Sequence, residues 1–333
     1  MNYLSAGDMA LNFQMRRHNA ALDTKLATLT QEVTSGIKSD LGAALSGDFG
    51  AISAIDRSLR LFDAFKLATT EASQYSEAMQ RSLELAGNLD DGASMALMSA
   101  ATTSSKIMID TTVASAAEKF DALIATLNTN SVGRYIFAGD QGDTAPLSDA
   151  EAIITSLSTQ IAGATSATDV LTTVDAWFDN PAGFSATSYQ GGDSRGKFHI
   201  AENETAEMNV TANDPRIAET IKGYAIAALM DRGLFEEDLS QRSALAKGAG
   251  ERIRSGSLAT VELAAEVGSF EGKIASAATR NDMERAGLEI ARTKLIGADA
   301  YDSATALEAV RSQIETLYLL TSRLSNLSMT DYM

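Results

Sequence analysis

Apolar residues recur at helical spacing near both ends of the chain. The stripe near the start and the stripe near the end step mostly by three and four residues. That alternation is typical of helices that pack side by side, nearly parallel or antiparallel. Each stripe is narrow, so each predicted helix needs a partner helix. The two stripes are Leu11, Met15, Leu22, Leu26, Leu29 and Val33, and Leu307, Val310, Ile314, Leu317 and Leu324.

Two further stripes run over residues 65–79 and 113–127, and a turn cluster at 88–92 separates them. This pattern predicts an antiparallel helical hairpin. The three prolines, Pro146, Pro181 and Pro215, all lie in the middle of the chain. Because proline disrupts helix interiors, the proline-free flanks allow long uninterrupted helices. The sequence therefore predicts a mainly α protein, an elongated antiparallel rod made by its N- and C-terminal parts.

The middle of the chain has a different pattern of apolar and polar residues. Residues 149–178 read as helix broken near Gly163, and apolar positions then alternate with polar ones on both sides of the loop 202–204, which predicts a β-hairpin. Asp214 and Pro215 are typical of a helix start, as N-cap and first helical residue. We expect a small α/β domain inserted in the rod. The predicted boundaries are 1–38 and 290–333 for terminal coiled-coil helices, 39–139 and 244–289 for a helical rod domain, and 140–243 for the inserted α+β domain with its hairpin.

Charge narrows the classes of partner. The net charge is −17, from 27 basic and 44 acidic residues. Such a chain repels nucleic acid and anionic lipid, so neither is expected as a partner. The longest apolar run, 224–230, is too short for membrane insertion, and the first residues lack the pattern of a Sec signal peptide. There is no cysteine, which excludes disulfides and cysteine metal sites.

Few residues in the sequence suggest catalysis or the binding of a cofactor or metal. The two histidines, His18 and His199, suit structural roles, and residues 92–96 match a nucleophile elbow only in part. The glycines at 191–192 and 248–250 lack the remaining residues of a phosphate loop. The acidic clusters at 90–91 and 236–238 are interpreted as solvated turns. We therefore predict no catalytic residue, no cofactor and no metal site.

Several stretches resemble one known family. Residues 16–38 place an Arg and an Asn before a leucine stripe that ends in Ser-Gly, residues 130–139 read NSVGRYIFAG, residues 189–193 read YQGGD, and the chain ends in LSNLSMTDYM. Together they resemble the bacterial flagellin family, closest to hook-associated protein 3 of the hook–filament junction. Residues 39–50, SDLGAALSGDFG, depart from the flagellin pattern and favour the junction protein. The family motif falls on Gly133, Arg134, Tyr135, Phe137 and Gly139.

The resemblance implies a structural subunit that is not an enzyme. It implies export through the flagellar type III channel without a Sec signal, and an extracellular place in the flagellum. The implied partners are further copies of the chain, the neighbouring hook-associated protein, flagellin and a flagellar export chaperone. The two terminal stripes, with all eleven residues named above, become the predicted assembly interface.

Two alternatives stay open. Flagellin, the filament subunit itself, shares the same architecture. A cytoplasmic coiled-coil adaptor is also compatible with the terminal stripes, since these require only a partner helix.

Overall fold

A computed structural model describes residues 3–103, 105–131 and 133–330, with side chains described for these ranges except 3–8, 11–12 and 324–330. By its contacts the chain forms two compact units. Unit 1 comprises residues 1–63 and 282–333, and unit 2 comprises residues 64–281. Two helices, α3 (Gly50–Asp90) and α10 (Leu239–Ile296), contribute residues to both units.

Unit 1 contains the two terminal helices, α1 (Tyr3–Ser35) and α11 (Ala300–Thr330), which pack against each other, and the short α2 (Leu41–Ala44). Leu22, Leu29 and Val310 form a small buried cluster between α1 and α11. Farther along, the Thr321 hydroxyl lies 3.9 Å from the Met15 sulfur. Residue numbers thus rise along one helix as they fall along the other, so the pair is antiparallel, as predicted.

The connectors at the base of this pair bind each other through the backbone. The Lys38 N–H donates to the Ile296 carbonyl over 2.9 Å, and the Ala298 N–H donates to the Gly36 carbonyl over 2.9 Å. Gly36 has a φ of +67°, which glycine adopts without strain. Helix α1 ends just before Gly36 because this left-handed turn directs the chain out of the helix.

The parts of α3 and α10 in unit 1 also run antiparallel. The Arg292 Nε donates to an Asp56 carboxylate oxygen over 2.8 Å, and the Arg285 Nε donates to Asp63 over 3.0 Å. Seven residues separate the two positions on each helix, or two helical turns. The two ion pairs therefore fit a single antiparallel register.

Unit 2 shares one continuous hydrophobic core. Its centre is α9 (Pro215–Asp231), in which nearly every residue from Ile217 to Met230 is buried. Helix α9 packs extensively against α5 and also lies against α10. The other elements of unit 2 are α4 (Ala93–Thr103), α5 (Lys106–Leu127), β1 (Asn130–Ser131), β2 (Arg134–Tyr135), α6 (Ala150–Ile161), α7 (Ala167–Asp179), α8 (Phe184–Thr187), β3 (Lys197–Ala201) and β4 (Glu204–Glu207).

The predicted hairpin is present as β3 and β4, but its second strand is shorter than the alternation suggested. The antiparallel register pairs Lys197 with Glu207 and Phe198 with Ala206, with an irregularity after His199. Met208 and Val210 lie beyond the strand, and both are buried in the core of unit 2. Alternation there reflects burial of a loop against helices rather than strand pairing.

The helical predictions for the middle hold in detail. Helices α6 and α7 flank Gly163, and the Asp214 side chain accepts from the Arg216 N–H at the start of α9, with Pro215 as the first residue. The mainly α fold class is confirmed. The predicted domain boundaries stay predictions, because contacts group residues 64–281 around one core without testing which parts fold alone.

Candidate functional site

The predicted assembly residues divide into three groups by burial. Leu22, Leu29 and Val310 are buried within the α1–α11 pair. Leu26, Leu307 and Ile314 pack partly buried against that cluster. Met15 and Leu317 are partly buried, and Val33 is 39% exposed. The side chains of Leu11 and Leu324 lie outside the described residues.

A second set of apolar side chains on the same two helices is open to solvent. They belong to neither predicted stripe, yet their exposed fractions are large: Met9 70%, Phe13 70%, Tyr318 58%, Leu319 65% and Leu320 51%. Tyr301, near the other end of α11, is 79% exposed as well. Single exposed apolar residues are normal on a protein surface, but these five lie toward the same end of the helix pair, where Met15 meets Thr321, and they make that end a candidate contact surface. The pairing of α1 with α11 therefore satisfies one apolar stripe and leaves this second set, here called the open set, uncovered.

The family motif begins with a tight hairpin in unit 2. Strands β1 and β2 pair Asn130 with Tyr135 and Ser131 with Arg134. Gly133 lies in the turn with a φ of +80°, so a glycine is favoured there. Arg134 is exposed, and its guanidinium lies across Gly142, where an added Cβ would come within 2.7 Å of Nε.

The remainder of the motif is buried against the stretch 189–193. Ile136, Phe137 and Ala138 are at most 1% exposed. The Gly192 N–H donates to the Ala138 carbonyl over 2.9 Å, and the Asp140 N–H donates to the Asp193 carbonyl over 2.8 Å. Residues 130–139 and 189–193 are separate stretches of the sequence, and they lie together in the structure.

Gly139 is the residue that this contact needs most. Its φ is +65°, and a Cβ added there would lie 1.9 Å from the Asp193 carbonyl oxygen. No side chain fits at that distance without moving the backbone. The glycine of the motif thus permits the close approach of two chain segments.

Aromatic and basic side chains support the motif from one side. The Tyr75 hydroxyl donates to the Ile136 carbonyl over 2.6 Å. Burial raises the pKa of Tyr75 to about 12, although the nearby charges of Arg195 and Arg134 act in the opposite direction. The Arg195 guanidinium lies 4.6 Å from the centre of the Tyr75 ring and 4.9 Å from that of Phe198, which is cation–π geometry. These contacts hold the motif in place and present no reactive group.

The surface beside the motif has an open polar depression of about 470 Å³, lined by residues that include Asp140, Tyr189, Asp193 and Asn209. Burial raises the pKa of Tyr189, with smaller effects from a Thr211 hydrogen bond that lowers it and from Asp140 and Asp193, which raise it. No nucleophile is paired with a base at this depression. Among the described residues, no three His, Asp or Glu side chains gather into a group that could hold a metal ion.

The interpretation of Asp90 as a solvated turn residue is wrong. Asp90 is only 5% exposed, because it continues the buried row of α3 formed by Met79, Leu83 and Ala86. Its spacing of four from Ala86 was visible in the sequence. The two histidines, by contrast, are exposed.

The comparisons with solved structures bear on this architecture. FlgL of Bacillus cereus matches with a TM-score of 0.51 at 16% identity, over 72% of this chain and 100% of that chain. The fold is similar to that of FlgL. A putative flagellar hook-associated protein from Vibrio parahaemolyticus matches with a TM-score of 0.53 at 11% identity, over 75% of this chain and 99% of that chain.

FlgL is hook-associated protein 3, so the resemblance found in the sequence is confirmed at the level of the fold. No sequence-family model matches the chain, and no curated protein matches it either. Within the described part of the chain, none of the helices combines the length and the apolar character needed to cross a membrane.

Proposed function

We propose that the chain is a structural subunit of the bacterial flagellum, a hook-associated junction protein that connects hook and filament. It is exported without a Sec signal and acts outside the cell. It assembles with further copies of itself, and contacts the neighbouring hook-associated protein on one side and flagellin on the other. A flagellar export chaperone covers its C-terminal stripe before export. It catalyses no reaction.

One observation carries this proposal: the terminal helices pair with each other and still leave the open set uncovered. A helix pair with an unsatisfied apolar surface gains free energy, about 25 cal/mol per Å² of apolar area, when a neighbouring subunit covers it. The fold likeness to FlgL and to the Vibrio hook-associated protein supports the same assignment.

Localisation on sheared flagella tests the proposal. Electron microscopy with a specific antibody should place the protein in a short collar between hook and filament. Label along the whole filament would instead identify a flagellin. Protein that stays in the cytoplasm and never reaches the medium would favour a coiled-coil adaptor.

Substitutions in α11 separate pairing within the chain from assembly between chains. Leu319→Glu puts a charge in the open set and should abolish assembly while the α1–α11 pair stays intact. Gln313→Glu adds the same charge at an exposed polar position and serves as the control. Ile314→Asp places a charge where α11 packs on α1, so it should disrupt the α1–α11 pair as well as assembly and leave unit 2 folded. Assembly of Leu319→Glu at the wild-type level would refute the assignment of the open set.

A further inference from the structure

The corner between α3 and α4 in unit 2 buries an acidic side chain. Asp90 is the last residue of α3 and is 5% exposed, whereas its neighbour Asp91 is exposed. Gly92 follows with a φ of +72°, which turns the chain directly into α4. The corner therefore carries two adjacent carboxyl groups in opposite environments.

The hydrogen-bond donors beside Asp90 are directed elsewhere. The Tyr224 hydroxyl, from α9, donates to the Leu89 carbonyl over 3.0 Å, and the Lys119 ammonium, from α5, donates to the same carbonyl over 2.8 Å. The Tyr224 hydroxyl lies near enough to the Asp90 carboxyl to lower its pKa, but it is directed at the Leu89 carbonyl. By hydrogen-bond geometry, neither carboxyl oxygen of Asp90 has a partner among the described residues. A buried carboxylate without donors is costly, so the neutral acid is the form that this environment accepts.

The environment of Asp90 as a whole favours its neutral form. Burial raises the pKa of Asp90 to about 6, although the Tyr224 hydroxyl and the Lys119 charge oppose the rise. The position at the C-terminal end of α3 disfavours a negative charge further. Burial and the Asp90 charge raise the pKa of Tyr224, so that its hydroxyl keeps its proton throughout the neutral range. Asp90 is thus the group at this corner that changes charge between mild acid and neutral pH.

We propose that the α3–α4 corner is a proton-dependent latch: the corner stays closed over Tyr224 and Lys119 while Asp90 is neutral, and ionisation of Asp90 favours an open corner in which the carboxylate reaches water. Opening breaks the bonds from Tyr224 and Lys119 to the Leu89 carbonyl. Since Tyr224 belongs to the central helix α9, the latch couples proton concentration to the packing of the core of unit 2.

Amide hydrogen exchange of the full chain tests the latch. Exchange of residues 86–93 is measured at pH 5.0 and pH 7.5 and corrected for the intrinsic pH dependence of exchange. A carboxyl group with a pKa of about 6 when closed and 3.8 when solvated makes opening about tenfold more favourable at the higher pH. We expect corrected exchange to rise by about that factor, while exchange of α11, which lies in unit 1, remains unchanged.

Two variants of the same corner provide the controls. Asp90→Asn should remove the difference between the two pH values, because the amide carries no charge at either. Asp91→Asn changes the exposed neighbour and should retain it. A carbon-13 NMR titration of the Asp90 carboxyl needs no variant. An Asp90 pKa near 4, equal corrected exchange at both pH values, or a pH difference that persists in Asp90→Asn would each overturn the proposal.

Discussion

Replacement of Gly256 by alanine should destabilise unit 2. Gly256 lies in α10 where this helix crosses α9, and an added Cβ would come within 2.1 Å of the Thr220 hydroxyl oxygen and 2.5 Å of the Thr220 nitrogen. Gly223 makes the reciprocal close approach from α9, where a Cβ would meet the Ala249 carbonyl oxygen at 2.8 Å. Backbone atoms of the facing helix thus lie within 2.8 Å of the added Cβ at both glycines, so rotation of the Thr220 or Ile253 side chain alone cannot relieve the overlap.

The size of the effect follows from two opposing contributions. Restoring an ordinary contact requires the helices to separate by about 1 Å, and overpacking of this kind costs ~1–3 kcal/mol or more. Alanine improves helix propensity by ~1 kcal/mol, which offsets part of that cost. Because the overlap involves backbone atoms, we take the cost at about 3 kcal/mol, the upper end of that range. The expected net loss is then about 2 kcal/mol in the free energy of unfolding, or a drop of ~4–8 °C in Tm for a unit of this size.

The same helix supplies a matched control. Gly268 also lies in α10 and unit 2, but it is exposed, and a Cβ added there meets nothing within 4 Å. Gly268→Ala should therefore stabilise the protein by up to ~1 kcal/mol through helix propensity alone. Both variants are measured by urea and thermal denaturation followed by circular dichroism. If Gly256→Ala matches or exceeds the stability of Gly268→Ala, the close helix crossing is not as described.

Three further predictions concern other parts of the chain. Gly139→Ala should prevent the motif from packing on residues 189–193 and lower the free energy of unfolding, measured by urea titration, by more than ~3 kcal/mol. Gly133→Ala has free space for its Cβ and should cost only about 1 kcal/mol of backbone strain in the same measurement. Because the pKa of Asp90 is raised in the folded state, the wild type loses stability as pH rises through about 6. Asp90→Asn should therefore increase the free energy of unfolding by up to ~3 kcal/mol at pH 8 and by almost nothing at pH 4. An equal increase at both pH values would contradict this. Val310→Ala should cost ~2 kcal/mol of pairing in unit 1, seen as faster proteolysis of α1 and α11 with the urea transition of unit 2 unchanged.

The terminal helices could be predicted from sequence because their apolar stripes are narrow and regular. A stripe of that width is buried most simply by a partner helix, and each terminal stripe offered the other a matching surface. The helix start at Asp214 and Pro215 was equally readable, since capping chemistry is local. These features depend on residues within a few positions of one another.

The motif core could not be predicted in the same way. Residues 136–139 and 189–193 meet through backbone hydrogen bonds across about fifty residues of sequence, and backbone groups leave no residue-type signature. The glycines of α9 and α10 pose a similar difficulty, because a close helix crossing and a tolerated surface glycine look alike in sequence. Asp90 was misread for a different reason: its residue type suggested solvent, although its spacing along α3 indicated burial.

The crossed backbone bonds that join the connectors at Gly36–Lys38 and Ile296–Ala298 make the lengths of the two terminal helices interdependent. The connectors fix the C-terminal end of α1 next to the N-terminal end of α11. Inserting a heptad into α1 alone therefore shifts every contact between the two helices beyond the insertion, away from the connectors, by about 10 Å. A compensating heptad at the corresponding level of α11 should restore the pairing. Changes of length in this unit can therefore be tolerated only in pairs.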